Sequence, residues 1–329
     1  MSVLYLTKHG TVLRITGRRF IVTLGKKTLL ETPALNVGQV VIFGNALITP
    51  QALDYLLKNN ISVAYMSSSG RYRGRLQPPI SQNLPVRRAQ YELAKDTSFC
   101  LRLSKAIVAA KMRNCLHLFT KRGRGSRRIP EVDQLRQSIR RVEGARCLKE
   151  LLGIEGSSSA NYFKLYPGLL KEDFGFAKRI KHPPPDPINA LLSLGYSLLF
   201  NLVHSMVSLV GLDPYQGFFH QHSFGHAALA SDIMEPLRAP VVDALVLRVI
   251  NLEIIKKEDF RKEGGKIFLR NEALKRYLEQ YDQRLIKNRR YAPAKKSLNF
   301  KQILEWQCRH LSRVLVGKEP CYRPFLWGG

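Results

Sequence analysis

Acidic residues are scarce in this chain of 329 residues, which carries 25 Asp and Glu against 53 Lys and Arg. A modest basic excess is ordinary on a well-solvated surface, but a formal net charge of +28 is far more than solubility requires. Residues 1–88 hold +10 of that charge, from 12 basic and 2 acidic side chains, so the excess is not confined to a tail. The charge predicts a polyanionic partner, and nucleic acid is the one we expect.

Cysteine is sparse as well. The chain has five cysteines, an odd number without any CxxC spacing, which does not suit a disulfide framework or a zinc cluster. The N-terminal sequence MSVLYLTKHG lacks the basic start, the long apolar core and the small-residue cleavage site of a secretory signal. These features predict a cytoplasmic protein with reduced thiols at Cys100, Cys115, Cys147, Cys308 and Cys321.

One segment has no formal charge over 21 positions, which is long enough to cross a membrane: ALLSLGYSLLFNLVHSMVSLV, residues 190–210. Asn201, His204 and four serines make it too polar for an isolated span, and basic segments lie on both sides of it. We therefore expect no membrane association. The pattern favours a central helix that is buried on all faces of a helical domain.

The chain divides by pattern into two parts joined by a linker. Residues 1–80 alternate short β-rich runs with glycine turns around a single helix, for which Thr49 is the predicted N-cap and Pro50 the first residue. Residues 81–88 lie in the proline-rich segment QPPISQNLPVRR and are the predicted linker. Residues 89–329 are predicted to be helical. The expected fold class is α+β, with a small β-rich N-terminal domain and a larger all-α catalytic domain.

A cluster of metal-binding residue types lies in GFFHQHSFGHAALASDIMEPLR, residues 217–238. Asp232 and Glu235 are three positions apart, so on a helix they share a face and repel each other unless a cation or a proton lies between them. His220 precedes that helix and could fold back towards the carboxylates. One imidazole with carboxylate oxygens suits Mn²⁺ or Mg²⁺. The alternative is a surface helix with scattered acids and solvated histidines.

Zinc is not predicted, because His220, His222 and His226 lack the HxxxH and HExxH spacings. A third acid for a metal site is Glu155 in LKELLGIEGSSSANYFKLYP, residues 148–167. It stands between two glycines and ahead of three serines, where helix propensity is low and backbone can approach a ligand. Glu150 is better placed for an ordinary salt bridge on the preceding helix.

Four segments, in this order and spacing, resemble the CRISPR-associated integrase family of spacer acquisition, the Cas-one family: GIEGSSSANYF, DPINALLSLGYSLL, GLDPYQGFFH and SDIMEPLR. The resemblance implies a β-rich domain joined to an all-helical catalytic domain, and a metal-dependent DNA endonuclease and integrase. It implies that Glu155, His220 and Glu235 are the catalytic residues and bind Mg²⁺ or Mn²⁺, with Asp232 as an acid that supports or shares the metal. It further implies a homodimer formed by the N-terminal domain, a small Cas-two partner, and double-stranded or branched DNA containing the CRISPR repeat.

The basic segments KRGRGSRR, KRIKH and KNRRYAPAKK are expected to contact DNA phosphates, with ordinary solvated loops as the alternative for each. Tyr162 could stack on a splayed base or pack in the core. The alternative functions are a non-catalytic nucleic-acid-binding scaffold of the same fold and an RNA-directed nuclease. The individual cations predicted to bind DNA are Lys121, Arg122, Arg124, Arg127, Arg128, Lys178, Arg179, Arg289 and Arg290.

Overall fold

The computed structural model describes residues 2–68, 70–78, 83–122, 130–181, 183–220 and 225–328, apart from the side chains of residues 121, 122, 130 and 131. The chain divides into two compact units, Met1–Ser81 and Gln82–Gly329. The segment predicted as a linker, residues 81–88, is helical from Leu84 onwards. Pro85 does not prevent this, because a residue in the first turn of a helix needs no backbone N–H donor.

The first unit contains two four-stranded sheets and one helix. The strands are β1 (Ser2–Leu6), β2 (Thr11–Thr16), β3 (Arg19–Leu24), β4 (Lys27–Pro33), β5 (Val37–Phe43), β6 (Ala46–Ile48), β7 (Ser62–Met66) and β8 (Tyr72–Leu76). One sheet has the order β1-β5-β7-β8, in which only β8 is antiparallel to its neighbour, and the other has the order β4-β3-β2-β6, in which β6 is parallel to β2.

Helix α1 (Pro50–Lys58) closes the core of this unit. Its N-terminus agrees with the prediction, since the Thr49 side chain accepts a hydrogen bond from the Ala52 nitrogen at 3.4 Å and Pro50 is the first helical residue. Leu56 on α1 packs with Leu13 and Phe20 of the sheet, and all three are fully buried. The apolar face of α1 therefore covers a sheet whose inward side chains alternate with exposed ones.

The second unit is mostly helical, and the predicted α+β fold class is confirmed. This unit was expected to be entirely helical, but it also contains two short antiparallel hairpins, β9–β10 and β11–β12. In the first hairpin Gly264 and Gly265 form a two-residue turn in which both have positive φ, which glycine adopts without strain. These strands are β9 (Phe260–Glu263), β10 (Lys266–Leu269), β11 (Arg289–Tyr291) and β12 (Lys296–Leu298).

Helix α6 (Pro187–Val210) runs through the core of the second unit and contains the uncharged segment. Its N-cap Asp186 accepts a hydrogen bond from the Asn189 nitrogen at 2.8 Å, and of its residues only Leu209 is exposed. Its length and mean hydropathy of 1.5 would also suit a membrane span, but 67% of its most apolar window is buried within the chain, as is usual for a core helix. The other helices are α2 (Leu84–Leu93), α3 (Thr97–Arg122), α4 (Pro130–Gly144), α5 (Leu148–Leu165), α7 (Ala228–Met234), α8 (Ala244–Asn251), α9 (Asn271–Ile286) and α10 (Phe300–Leu315).

Candidate active site

Three helical elements and a loop bring the three predicted catalytic residues together around a lysine. Glu155 lies on α5, His220 on the loop after α6, and Glu235 at the start of a 3-10 turn that follows α7. The Lys111 ammonium, on α3, contacts both the Glu155 carboxylate and Glu235 Oε2, the latter at 2.7 Å. His220 Nε2 lies 4.0 Å from Glu235 Oε1. Residues far apart in the chain therefore meet in one partly buried cluster.

Glu155 is part of a continuous helix. The glycines on either side of it, Gly153 and Gly156, do not interrupt α5, and a Cβ atom added at either position would have no atom within 4 Å apart from the backbone of the helix itself. The Ser159 hydroxyl, one turn further on, donates a hydrogen bond to Glu155 Oε1 at 2.7 Å. The serine run after Glu155 thus supplies one donor that holds its carboxylate.

Asp232 holds His220 in place. Its buried carboxylate accepts hydrogen bonds from the backbone nitrogens of Phe218, Phe219 and His220 at 2.7–3.0 Å, and His220 Nδ1 lies 2.7 Å from Asp232 Oδ1. A side chain at Gly217 would come within 2.7 Å of Ala228, so this close wrapping of the loop requires glycine. Because Nδ1 faces Asp232, Nε2 is the nitrogen that carries the free lone pair when the ring is neutral, and it lies 4.0 Å from Glu235 Oε1.

The electrostatics of the cluster keep Glu235 ionised. Burial alone would raise the pKa of Glu235, but the positive charges of Arg238, Lys111 and His220 outweigh it and lower that pKa from 4.5 to about 2. Burial would lower the pKa of His220, yet its hydrogen bond to Asp232 and the charges of Asp232 and Glu235 raise it above 6.5. Burial likewise opposes the charge on Lys111, but Glu235 and Glu155 raise its pKa overall, so the ammonium is charged.

Arg238 is the second cation of the cluster. Its Nε lies 3.0 Å from Glu235 Oε1, and its guanidinium lies 4.9 Å from the centroid of the Tyr196 ring. The Tyr196 hydroxyl donates to the buried carboxylate of Asp243 at 2.5 Å. Arg238 and Asp243 begin and end a π-helical turn, an irregularity that is frequent at functional sites. Lys111 and Arg238 were not among the predicted site residues; the available signal for Lys111 was its place as a single cation in the apolar run IVAAKM.

Tyr162 corrects one of the DNA-binding predictions. It is 3% exposed, and its hydroxyl donates to Asp243 Oδ2 at 2.6 Å. Burial and the nearby Asp243 raise the pKa of Tyr162 well above 10. A ring held in the core in this way cannot stack on a base, so its role is to pack and to satisfy the buried Asp243 carboxylate.

The predicted DNA-binding cations divide by their surroundings. Lys178 and Arg290 are exposed. Arg179 instead donates to the side chains of Asn189 and Ser193 on α6 at 2.8 and 3.0 Å, and Arg289 lies 3.4 Å from the centroid of the Phe300 ring. Arg179 and Arg289 therefore make contacts within the chain itself. The structure does not describe the side chains of Lys121 and Arg122, or any part of Arg124, Arg127, Arg128 and His222.

The donor set fits a hard divalent cation. Among the described residues no three His, Cys, Asp or Glu side chains already surround one metal position, because the Lys111 ammonium lies between the two carboxylates. Glu235 Oε2 is nevertheless buried, and its contact is with the charged Lys111 ammonium at 2.7 Å. A buried carboxylate oxygen of this kind, with a second carboxylate and an imidazole nitrogen nearby, is a suitable ligand for Mg²⁺ or Mn²⁺.

Comparison with known proteins decides the family. The model of the family described as CRISPR associated protein Cas1 matches residues 4–283. The chain belongs to the Cas1 family. This is the Cas-one family of the sequence resemblance, which is confirmed. A relative from Thermus thermophilus, named CRISPR-associated endonuclease Cas1 3, is 34% identical over 321 residues, which cover 98% of this chain and 94% of the relative.

Other Cas1 proteins agree with this assignment. The CRISPR-associated endonuclease Cas1 of Mycobacterium tuberculosis is 30% identical over 97% of this chain and 96% of its own. A Cas1 protein from Thermotoga maritima, 23% identical, has the same fold, with a TM-score of 0.84 over 99% of both chains. A chain of a solved Cas6-RT-Cas1–Cas2 complex is 28% identical with a TM-score of 0.85, over 99% of this chain and 36% of that one. The Cas1 fold thus covers both units.

Proposed function

We propose that this chain is a DNA endonuclease and integrase, which inserts foreign DNA fragments as new spacers into a CRISPR array. In this reaction a DNA 3′-hydroxyl attacks a phosphodiester of the repeat. The observation that carries the proposal is the meeting of Glu155, His220 and Glu235 in one partly exposed cluster. Relatives with 30–34% identity that are named as endonucleases support the reaction class, and the net charge of +28 supports DNA as the substrate.

Glu155, His220 and Glu235 are the proposed ligands of a divalent cation, Mg²⁺ or Mn²⁺. When bound, such a cation activates the attacking oxygen and offsets the negative charge that develops on the phosphate. Asp232 has a different role, because both of its oxygens already accept hydrogen bonds from the backbone or from His220. It orients the imidazole and supports the site without binding the metal.

The cations of the cluster have two tasks. Lys111 and Arg238 offset the repulsion between Glu155 and Glu235 in the free protein. They also place two positive charges beside the carboxylates, which favours the approach of a DNA phosphate to an otherwise acidic site. Exposed cations such as Lys178 and Arg290 are proposed to contact the DNA backbone further from the reacting phosphate.

The β-rich unit is the proposed dimerisation domain, and the helical unit from Gln82 onwards is the proposed catalytic and DNA-binding domain. Four leucines of the first unit are unusually exposed, at 39–74%, which suits a surface that a second copy covers: Leu24, Leu30, Leu35 and Leu47. We expect light scattering to give twice the chain mass of 37.5 kDa, and Leu35→Asp with Leu47→Asp to give monomers. A monomeric wild-type protein at micromolar concentration would refute this assignment.

The likeness to a chain of a Cas6-RT-Cas1–Cas2 complex supports Cas2 as the proposed partner. The proposed place of action is the cytoplasm.

The alternative functions make different predictions with purified protein. The integrase should cleave or join branched and repeat-containing DNA only with Mn²⁺ or Mg²⁺, and EDTA should abolish the products. A scaffold would bind the same DNA without products, and an RNA-directed nuclease would prefer the ribonucleotide version of the same sequence.

A further inference from the structure

A buried tyrosine connects the catalytic cluster to a buried carboxylate behind it. Tyr196 lies on α6 and is 8% exposed. The guanidinium of Arg238 lies over its ring, 4.9 Å from the centroid, and its hydroxyl donates to Asp243 Oδ1 at 2.5 Å. Arg238 Nε in turn lies 3.0 Å from Glu235 Oε1. Tyr196 is therefore placed between the Asp243 carboxylate and the cation that pairs with Glu235.

Two arginines lie over the Tyr196 ring, but they are held in different ways. The Arg179 guanidinium, 5.4 Å from the ring centroid, donates to the side chains of Asn189 and Ser193 at 2.8 and 3.0 Å. The side chain of Arg238 is partly exposed, and its Nε is buried without a hydrogen-bond partner. No hydrogen bond from Arg238 reaches a residue that the structure describes. The position of its guanidinium therefore depends on one ion pair and on the ring.

Asp243 makes the Tyr196 ring a better partner for a cation. Its buried carboxylate accepts hydrogen bonds from the hydroxyls of Tyr196 and Tyr162 at 2.5 and 2.6 Å. Burial raises the pKa of Asp243, and the two hydroxyls and the charges of Arg238 and Arg179 oppose that increase. A phenol that donates to a carboxylate gains electron density, which strengthens the attraction between its ring and a guanidinium. The hydroxyl and the ring of Tyr196 thus act together.

Helix α6 is fixed closely against the π-helical turn that begins at Arg238 and ends at Asp243. A Cβ atom at Gly195 would lie 2.5 Å from Val242 Cγ1, so this close approach requires glycine at position 195. Gly195 directly precedes Tyr196, and Val242 directly precedes Asp243. The contact between backbone and side chain therefore fixes the ring of Tyr196 relative to both ends of the turn.

We infer that Tyr196 is a positioning residue of the proposed reaction, whose ring holds the Arg238 guanidinium with its unused N–H donors directed at the reacting phosphate. The inference rests on the proposed joining of DNA and adds a residue that acts through Arg238. Glu235 is a proposed metal ligand, so its attraction for Arg238 is weaker when a divalent cation is bound. The ring then remains to orient the guanidinium, whose plane must be aligned to bind two phosphate oxygens at once.

NMR of the metal-free protein in EDTA tests the contact without DNA. The Nε–Hε resonance of Arg238 is assigned by its loss in Arg238→Gln. Because an aromatic ring shields protons that lie over its face, we expect an upfield Hε resonance in the wild type and in Tyr196→Phe, which keeps the ring. Tyr196→Leu removes the ring and should return the resonance to the ordinary arginine range. The same chemical shift in all three proteins would overturn the inference.

Initial rates of DNA joining at saturating Mn²⁺ test the role of Tyr196 in the reaction. Tyr196→Leu should join DNA about tenfold more slowly than the wild type, and Tyr196→Phe should keep most of the rate. In the Arg238→Gln background the leucine substitution should cost less than about twofold, because Tyr196 acts through Arg238. Tyr162→Phe is the matched control, since it removes a hydroxyl from the same Asp243 carboxylate but leaves the ring beneath Arg238. It should lose far less activity than Tyr196→Leu.

Two rate patterns would overturn the inference. One is a loss in Tyr196→Phe or Tyr162→Phe as large as in Tyr196→Leu, which would assign the effect to the hydroxyls; the other is an equal loss from leucine in both backgrounds. If Tyr196→Leu does not fold, pentafluorophenylalanine at position 196 replaces it, because this residue keeps the shape of the ring but not its attraction for cations. A wild type that joins no DNA would refute the proposed function, and the NMR comparison would still decide whether Tyr196 holds Arg238.

Discussion

Glu155→Gln should lower the rate of metal-dependent DNA joining by more than about a hundredfold while the fold is kept. Replacing a residue that only orients a metal ligand typically costs ten- to a hundredfold, so removal of a charged ligand should cost more. His220→Ala and Glu235→Gln should have the same effect, since each removes one of the three converging donors. Initial rates with Mn²⁺ measure the loss, and circular dichroism and anisotropy show whether folding and DNA affinity persist.

Glu150→Gln is the matched control, because Glu150 lies on the same helix and its side chain only accepts a hydrogen bond from the Arg146 nitrogen, at 2.7 Å. It should keep nearly full activity. The activity of Asp232→Asn should lie between those of Glu155→Gln and Glu150→Gln. Its affinity for metal should be about ten- to a hundredfold weaker, because the substitution loosens His220 without removing a ligand. Full activity in Glu155→Gln, or an equal loss in Glu150→Gln, would show that the assignment is wrong.

Lys111→Met should lower the free energy of unfolding of the metal-free protein by about 3–5 kcal/mol. The substitution leaves Glu155 and Glu235 facing each other without the cation between them, and Glu235 is only 4% exposed. Mn²⁺ should stabilise this variant more than it stabilises the wild type, because a bound cation supplies the missing charge and binds only the folded chain. Urea unfolding in EDTA and in Mn²⁺ measures both effects.

Lys105→Met provides the comparison on the same helix. The Lys105 ammonium donates a hydrogen bond to the carbonyl of Glu143 at 2.9 Å, so its loss should cost only about 1 kcal/mol and should not respond to Mn²⁺. Two results would show that Lys111 is not the cation that holds the two carboxylates together. One is a Lys111→Met variant as stable as the wild type in EDTA; the other is a stabilisation by Mn²⁺ no larger than that of Lys105→Met.

Local patterns in the sequence were sufficient for the fold class, and the resemblance to a family identified three of the residues that meet at the site. The β-rich alternation of the first 80 residues, the N-cap at Thr49 and the uncharged run of α6 all depend on near neighbours in the chain. Glu155, His220 and Glu235 came from the resemblance to a family. Their contact through Lys111 could not be predicted, because no local pattern relates a cation on α3 to acids on two other elements.

Of the two roles considered for Tyr162, stacking on a base was wrong for a related reason. Tyr162 follows Glu155 by seven positions, so both lie on the same face of α5. Periodicity identifies such a face but does not show that one end of it lies in a partly exposed cluster and the other beneath Asp243. Adjacent cations differ in the same way: Arg290 is exposed, whereas Arg289 lies against the Phe300 ring, and both look alike in a basic segment.

Strand joining with matched DNA ends tests the proposed chemistry most directly. Two fragments of one sequence, ending in a 3′-hydroxyl and in a 3′-hydrogen, are incubated with purified protein and repeat-containing DNA in Mn²⁺ or EDTA. We predict joined product only from the 3′-hydroxyl fragment and only with Mn²⁺, because the hydroxyl is the attacking group. Equal joining of both fragments, joining in EDTA, or no joining under any of these conditions would contradict the proposal.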